Sequence, residues 1–168
     1  MNIFRLHDDP KICATMHCDK HVPKMILETA QMLSTAHRIT EEDNAYADEH
    51  RLYKSAYKNH PATIWVRHSE QNYFWSVQLF KYLCEEYTKR YGKNHASSRL
   101  LPPFQKCPKE ASTEKIPIPV PQCMPDLYKV ENNPVQAYRN YYGIEKVSFA
   151  RWNKGTAAPN WWDRFRRS

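Results

Sequence analysis

The chain has 168 residues and a mass of 20.0 kDa, one domain's worth of material and enough to bury a core without disulfide support. Its 3 glycines, Gly92, Gly143 and Gly155, lie too far apart for a phosphate-cradling loop, which excludes a P-loop and a dinucleotide fingerprint. With 25 Lys+Arg against 18 Asp+Glu the formal charge is +7, and aromatics make up 13%, so two readings stand side by side: a polyanion with stackable rings as partner, nucleic acid first, or charge that serves solubility alone.

Asp9-Pro10 pairs an N-cap with a proline at the first helical position, and a short helix is expected to about His17. Val22, Met25, Ile26, Thr29, Met32, Leu33 and Ala36 recur at steps of three and four, which predicts an amphipathic helix entered near Pro23 and ending near Arg38. Residues 40–59 are acidic at first and then carry Tyr46, Tyr53 and Tyr57; an irregular surface segment with at most a weak helix is expected. His60-Pro61 restarts the chain, and Asn72, Trp75, Leu79, Tyr82, Leu83 and Tyr87 form the stripe of a second long helix stopped by Gly92. Prolines crowd residues 101–125, where alternate positions lack a donor, so this stretch is a proline-rich surface strap. Asn133-Pro134, with Gln136 at the third position of a capping box, opens a third long helix read through to Trp152. Residues 153–168 form a basic aromatic tail, including Trp161 to Arg167. The expectation is a single all-α domain spanning 1–168, a compact bundle of three principal helices.

No segment reaches the roughly 20 apolar residues of a membrane span, and MNIFRLHDDP lacks the apolar run of a signal peptide, so no membrane partner and a cytoplasmic setting are expected, that of the host if the chain is viral. The five cysteines are odd in number and form no CxxC, which suits reduced packing thiols.

For chemistry, His17, Cys18, Asp19, Lys20 and His21 precede the first long helix, and Glu28 lies seven residues beyond His21, two turns on and on the same face. A carboxylate among Met25, Ile26, Leu27, Met32 and Leu33 would be desolvated into a general acid or base unless a cation compensates; alternatively it is a surface pair with Lys24. His17 and His21 at i, i+4 could share a metal, the basis of a metal-dependent nuclease reading, but no HExxH is formed and no third ligand has a matching spacing, so neither metal nor cofactor is expected. Tyr138, Arg139, Tyr141, Tyr142, Lys146, Phe149, Arg151 and Trp152 mix cations with rings. About half of these rings must pack the core, while Arg67, Arg139, Tyr142 and Lys146 are the candidate nucleic-acid contacts.

The segment CDKHVPKMILE, with its pattern Asp19-x-His21-Val22-x5-Glu28, resembles the pyrimidine-dimer DNA glycosylases of the phage endonuclease V type, in which an Asp-x-His-Leu pair precedes the catalytic glutamate at that interval. YRNYYG, from Tyr138 to Gly143, is similar to the aromatic basic segment near that family's C-terminus. The resemblance implies a compact all-α fold, a role in base excision repair, extrusion of a nucleotide from double-stranded DNA and hydrolytic cleavage of its N-glycosidic bond, with Glu28 as catalytic carboxylate and Asp19 and His21 as pocket supports. The family's nucleophile is the α-amine of a small residue exposed by loss of the initiator Met. Here Asn2 follows Met1 and is a poor substrate for that processing, so the Met1 amine is the candidate and AP-lyase activity is in question. Leu27 and Gln31 stand where the family has arginines, so its phosphate clamp does not carry over. Two other readings stay open: a non-catalytic nucleic-acid-binding accessory protein on the same scaffold, and a related glycosylase acting on modified nucleotides.

Overall fold

Side-chain caps start most of the helices. In the computed structural model, which describes residues 1–166, Asp9 accepts the Lys11 amide at 2.8 Å ahead of Pro10, and α1 (Pro10–Met16) follows. Helix α2 (His21–Ala36) buries the whole stripe of Val22, Met25, Ile26, Thr29, Met32, Leu33 and Ala36. The acidic stretch expected to be irregular forms α3 (Glu41–Glu49). Thr40 caps it by accepting the Asp43 amide at 3.1 Å, and Glu41, Glu42 and Asp43 in its first turn complement the helix dipole. Its weak apolar periodicity concealed it; the cap was the legible signal.

The second long helix is in fact two. Helix α4 (Pro61–His68) and α5 (Glu70–Tyr91) break at Ser69, which takes an extended conformation with φ −144 and ψ 158 and caps α5 through the Asn72 amide at 3.0 Å. The strap fills the break. Ser112 donates to His68 O at 3.0 Å and accepts from Glu70 N at 2.9 Å, making an isolated bridge to Ser69 in a fold with no strand among the described residues. Gly92 ends α5 in the left-handed conformation, φ 71.

Helix α6 (Pro134–Glu145) stops short of the expected Trp152. Asn133 accepts the Gln136 amide at 3.1 Å, but the Gln136 side chain donates onward to Asn140 at 2.8 Å, so only half of the capping box forms. After Lys146 the chain turns back, with the Ala150 amide on Lys146 O at 2.8 Å; Phe149 meets His21 at the start of α2, and Trp152 packs on Tyr142 and Trp162. Helix α7 (Asp163–Arg166) packs Phe165 over Gly143; a Cβ at that glycine would sit inside the ring. Arg167 of the expected tail, and the side chain of Arg166, lie outside the described residues.

Of the three principal helices, α2 and α5 pack directly, with α1 and α4 beside them. Helix α6 joins through the N-terminal segment and its own rings: Arg139 Nε donates to Leu6 O at 2.9 Å, Cys18 N to the Tyr142 hydroxyl at 2.7 Å, and Phe4 meets Tyr138 and Tyr142 edge on.

One polar hub ties these parts together. The fully buried Arg90 guanidinium donates to Glu86 Oε2 at 2.8 Å, His17 O at 2.6 Å, Asp19 Oδ1 at 3.2 Å and Thr15 O at 3.0 Å. The second Asp19 oxygen accepts Asn153 N at 2.7 Å, and Thr156 donates to Glu86 at 2.8 Å. Arg90→Met leaves two buried carboxylates without their cation and should cost about 3–5 kcal/mol, read as a lowered midpoint in urea unfolding.

Candidate active site

The face of α2 carrying His21, Lys24 and Glu28, at i, i+3 and i+7, is covered by the N-terminal segment running the opposite way. The Met1 α-ammonium lies 3.2 Å from Glu28 Oε1, and the Phe4 ring centroid lies 5.0 Å from that of His21. Three residues of extended chain span about 10 Å, which matches the rise of two helical turns. The Met1 side chain is 1% exposed and that of Glu28 16%, so the methionine is an anchor while the Glu28 carboxylate keeps partial exposure. Glu28 is thus compensated by the amine rather than by Lys24.

Asn2 fixes the register of that segment. Its Nδ2 donates to Cys123 O at 3.0 Å on the strap, and its Oδ1 accepts from Ile3 N at 2.8 Å. The Tyr138 hydroxyl sits between Asn2 Oδ1 at 2.8 Å and Pro121 O at 2.7 Å, and accepts the Cys123 amide at 3.2 Å. Beside the pair, His60 caps α4, its Nδ1 accepting the Ala62 amide at 3.1 Å. Burial pushes the His60 pKa down, the nearby amine pushes it further and the Glu28 carboxylate opposes them, so the imidazole lies within reach of both charges.

At the other end of the face, His21 is buried against Phe4, Tyr142 at 5.1 Å and Phe149 at 5.3 Å, and its Nδ1 has no hydrogen-bond partner. Desolvation first, then His17, Lys24, Lys146 and Lys20, bring its pKa to about 3, so the ring is neutral. Those lysines make a cationic rim: Lys146 Nζ lies 4.8 Å from the centre of Tyr141, and Lys20 Nζ 4.9 Å from that of Phe149.

Glu28 and Met1 are therefore brought together, with His21 further along the same face and Lys146 at the rim. Asp19 is not at the pair; it belongs to the Arg90 hub and sets the start of α2 from behind. Tyr142 is fully buried with its hydroxyl on the Cys18 amide, so it packs the core and offers nucleic acid no surface. Arg139 holds Leu6 O and covers Trp161, 5.5 Å from its ring centre; Arg67 is turned to Lys58 O at 2.6 Å. Each thus has one donor engaged on backbone. His17 is fully buried with Nδ1 2.8 Å from Cys13 O, and among the described residues no group of three His, Cys, Asp or Glu side chains is placed to hold a metal ion.

Sequence reasoning missed Asn2, Tyr138 and Cys123 because their contacts join residues 121 and 136 positions apart. His60 was read only as a helix start; the imidazole's second role has no local signature.

Comparison with known proteins yields one finding. The model of the family described as pyrimidine dimer DNA glycosylase matches residues 1–99, the part that holds the amine, Glu28, His21 and His60. No curated protein and no solved structure matches the chain.

The buried histidines give the fold an acid limit. Burial brings His17 to about 4 and His21 to about 3, against an ordinary 6.5, so below pH 6.5 the unfolded chain takes up protons that the folded one refuses. Stability should therefore fall as the pH drops from 6.5 towards 4, by about 1.4 kcal/mol per pH unit for each such histidine. Urea midpoints measured across that range check it, and His17→Gln should flatten the slope by one histidine's share.

Proposed function

The chain belongs to the pyrimidine dimer DNA glycosylase family, and on that premise we propose that it releases damaged pyrimidine bases from double-stranded DNA by attack of the Met1 α-amine on the sugar, with Glu28 as the partner carboxylate. The observation that carries this reading is the 3.2 Å pair between the amine and Glu28 Oε1, accessible on the Glu28 side.

The chemistry suits the pair. An amine attacks only when neutral, and α-amines as a class lose their proton about two pH units below lysine. Glu28 takes the ammonium proton and returns it to the departing base as the C1'–N bond breaks and the amine nitrogen bonds to C1'. The carboxylate so restored faces the cationic sugar. The nitrogen's second proton passes by way of Glu28 to the ring oxygen as the C1'–O4' bond breaks, leaving the third on a protonated imine, so this reading includes AP-lyase chemistry with the encoded methionine as nucleophile. The unprocessed residue is no obstacle, since its side chain is the buried anchor and Asn2 is already occupied by Cys123 and Tyr138. Neutral His21, packed beneath Phe4, does not compete for the proton, and Lys20, Lys24 and Lys146 face the phosphates. Extruding a damaged nucleotide costs less than extruding a paired one, which favours lesions over intact pyrimidines.

Glu28→Gln should lower base release from ultraviolet-irradiated duplex by about 10²–10⁴-fold with binding nearly unchanged, and borohydride should trap wild-type protein on the DNA through residue 1, identified in the adduct by peptide mass. Base release without any trapped adduct would replace the amine by water, and binding with no release from any lesion would favour an accessory role. Separately, Lys146→Gln should reduce the slope of log Kobs against log salt by about 0.9, one phosphate's worth.

A further inference from the structure

Tyr57 presents its ring to solvent, 69% exposed, with no ring contact or side-chain hydrogen bond among the described residues. Its backbone is left-handed, φ 48, a conformation that a bulky non-glycine residue keeps only when its surroundings impose it. Three bonds do so. The Ala56 amide donates to Thr35 Oγ1 at 3.0 Å, the Tyr57 carbonyl accepts the His60 amide at 3.0 Å, and Arg67 Nη1 holds Lys58 O at 2.6 Å. The aromatic ring is displayed on a fixed loop, so little freedom remains to be lost on binding. Exposed lysines 54 and 58 flank it.

The loop is placed by the reactive face. Thr35, which pins Ala56, stands seven residues past Glu28 on α2, two turns along the same side. His60, three residues after Tyr57, is the imidazole beside the amine. A cation-flanked aromatic side chain on a loop pinned to that side of α2 matches the recurring device by which proteins part stacked bases.

We propose that Tyr57 is a wedge that stacks into the DNA beside the reacting sugar and holds open the duplex from which the damaged nucleotide is extruded. This rests on the glycosylase reading above and adds to it a positioning residue, one that acts on the DNA rather than on the reacting atoms. Arg67 and Thr35 serve the wedge by fixing its loop.

The test uses the full chain with Tyr57→Asn, which removes the ring while tolerating the left-handed backbone, and Tyr57→Phe, which keeps the ring. Base release from ultraviolet-irradiated duplex should fall by about 10- to 100-fold in Tyr57→Asn and stay near wild type in Tyr57→Phe. The deficit should shrink when the bases opposite the lesion are mispaired, because extrusion is then cheaper. A 2-aminopurine neighbouring the lesion should brighten on binding wild type and Tyr57→Phe and stay dark with Tyr57→Asn. Equal release by Tyr57→Asn and wild type on paired duplex, or unchanged fluorescence with wild type, would overturn the wedge. The fluorescence needs no turnover, so a wild-type chain that unstacks the probe through Tyr57 but releases no base keeps the wedge and sinks the glycosylase reading instead.

Discussion

A single guanidinium buried without solvent sets the geometry on which the rest is built. Arg90 has to satisfy its donors internally, and it does so on the end of α1, the turn at Asp19 and the neighbouring Glu86. Because Asp19 stands just before Lys20, the residue that opens α2, the hub holds the start of that helix, and a helix fixed at its start has every later side chain fixed in angle and rise. Glu28 inherits its direction from an ion pair two and a half turns behind it. Asn153 and Thr156 on the same carboxylates bring the chain beyond α6 back to this point, so the C-terminal third shares the frame.

On that frame the N-terminal segment acts as a second rail. It lies along α2 with Met1 at one end and Phe4 at the other, and three kinds of anchoring hold it: the buried methionine side chain, the Asn2 clamp to strap and α6, and the Phe4 ring among His21, Tyr138 and Tyr142. The proline strap, which reads as mere surface covering, supplies the Cys123 carbonyl in that clamp and the Ser112 pairing that fills the break between α4 and α5. A segment unable to form helix or sheet interior is well suited to this, since its carbonyls remain free to accept from side chains.

The helices with strong apolar periodicity or cap-plus-proline starts were legible: α1, α2 and α6 begin within a residue or two of their expected positions, and Gly92 ends α5. Boundaries set by tertiary contacts were not. Ser69 breaks a continuous stripe because the strap pairs there, and α6 ends early because Phe149 is drawn onto His21 and Trp152 onto Tyr142 and Trp162. At the site, spacing placed His21 and Glu28 on one face; Met1 and the pocket role of Asp19 came from the family resemblance, and the Asp19 carboxylate pairs with Arg90. Nothing local distinguishes a carboxylate that faces a ligand from one that faces a buried arginine 71 positions away. The phosphate contacts fared similarly: Lys146 lies at the rim, while Arg67 and Arg139 hold backbone carbonyls, a use of arginine that composition does not foretell.

The anchoring of residue 1 also bears on how this molecule tolerates chemical change. Acylating the terminus, or fusing any peptide ahead of it, turns the cation into a neutral amide and leaves Glu28 facing a group unable to balance its charge. The added atoms would also crowd the place where Met1 meets Glu28, next to the Asn2 clamp. Handles for purification or immobilisation therefore belong at the opposite terminus.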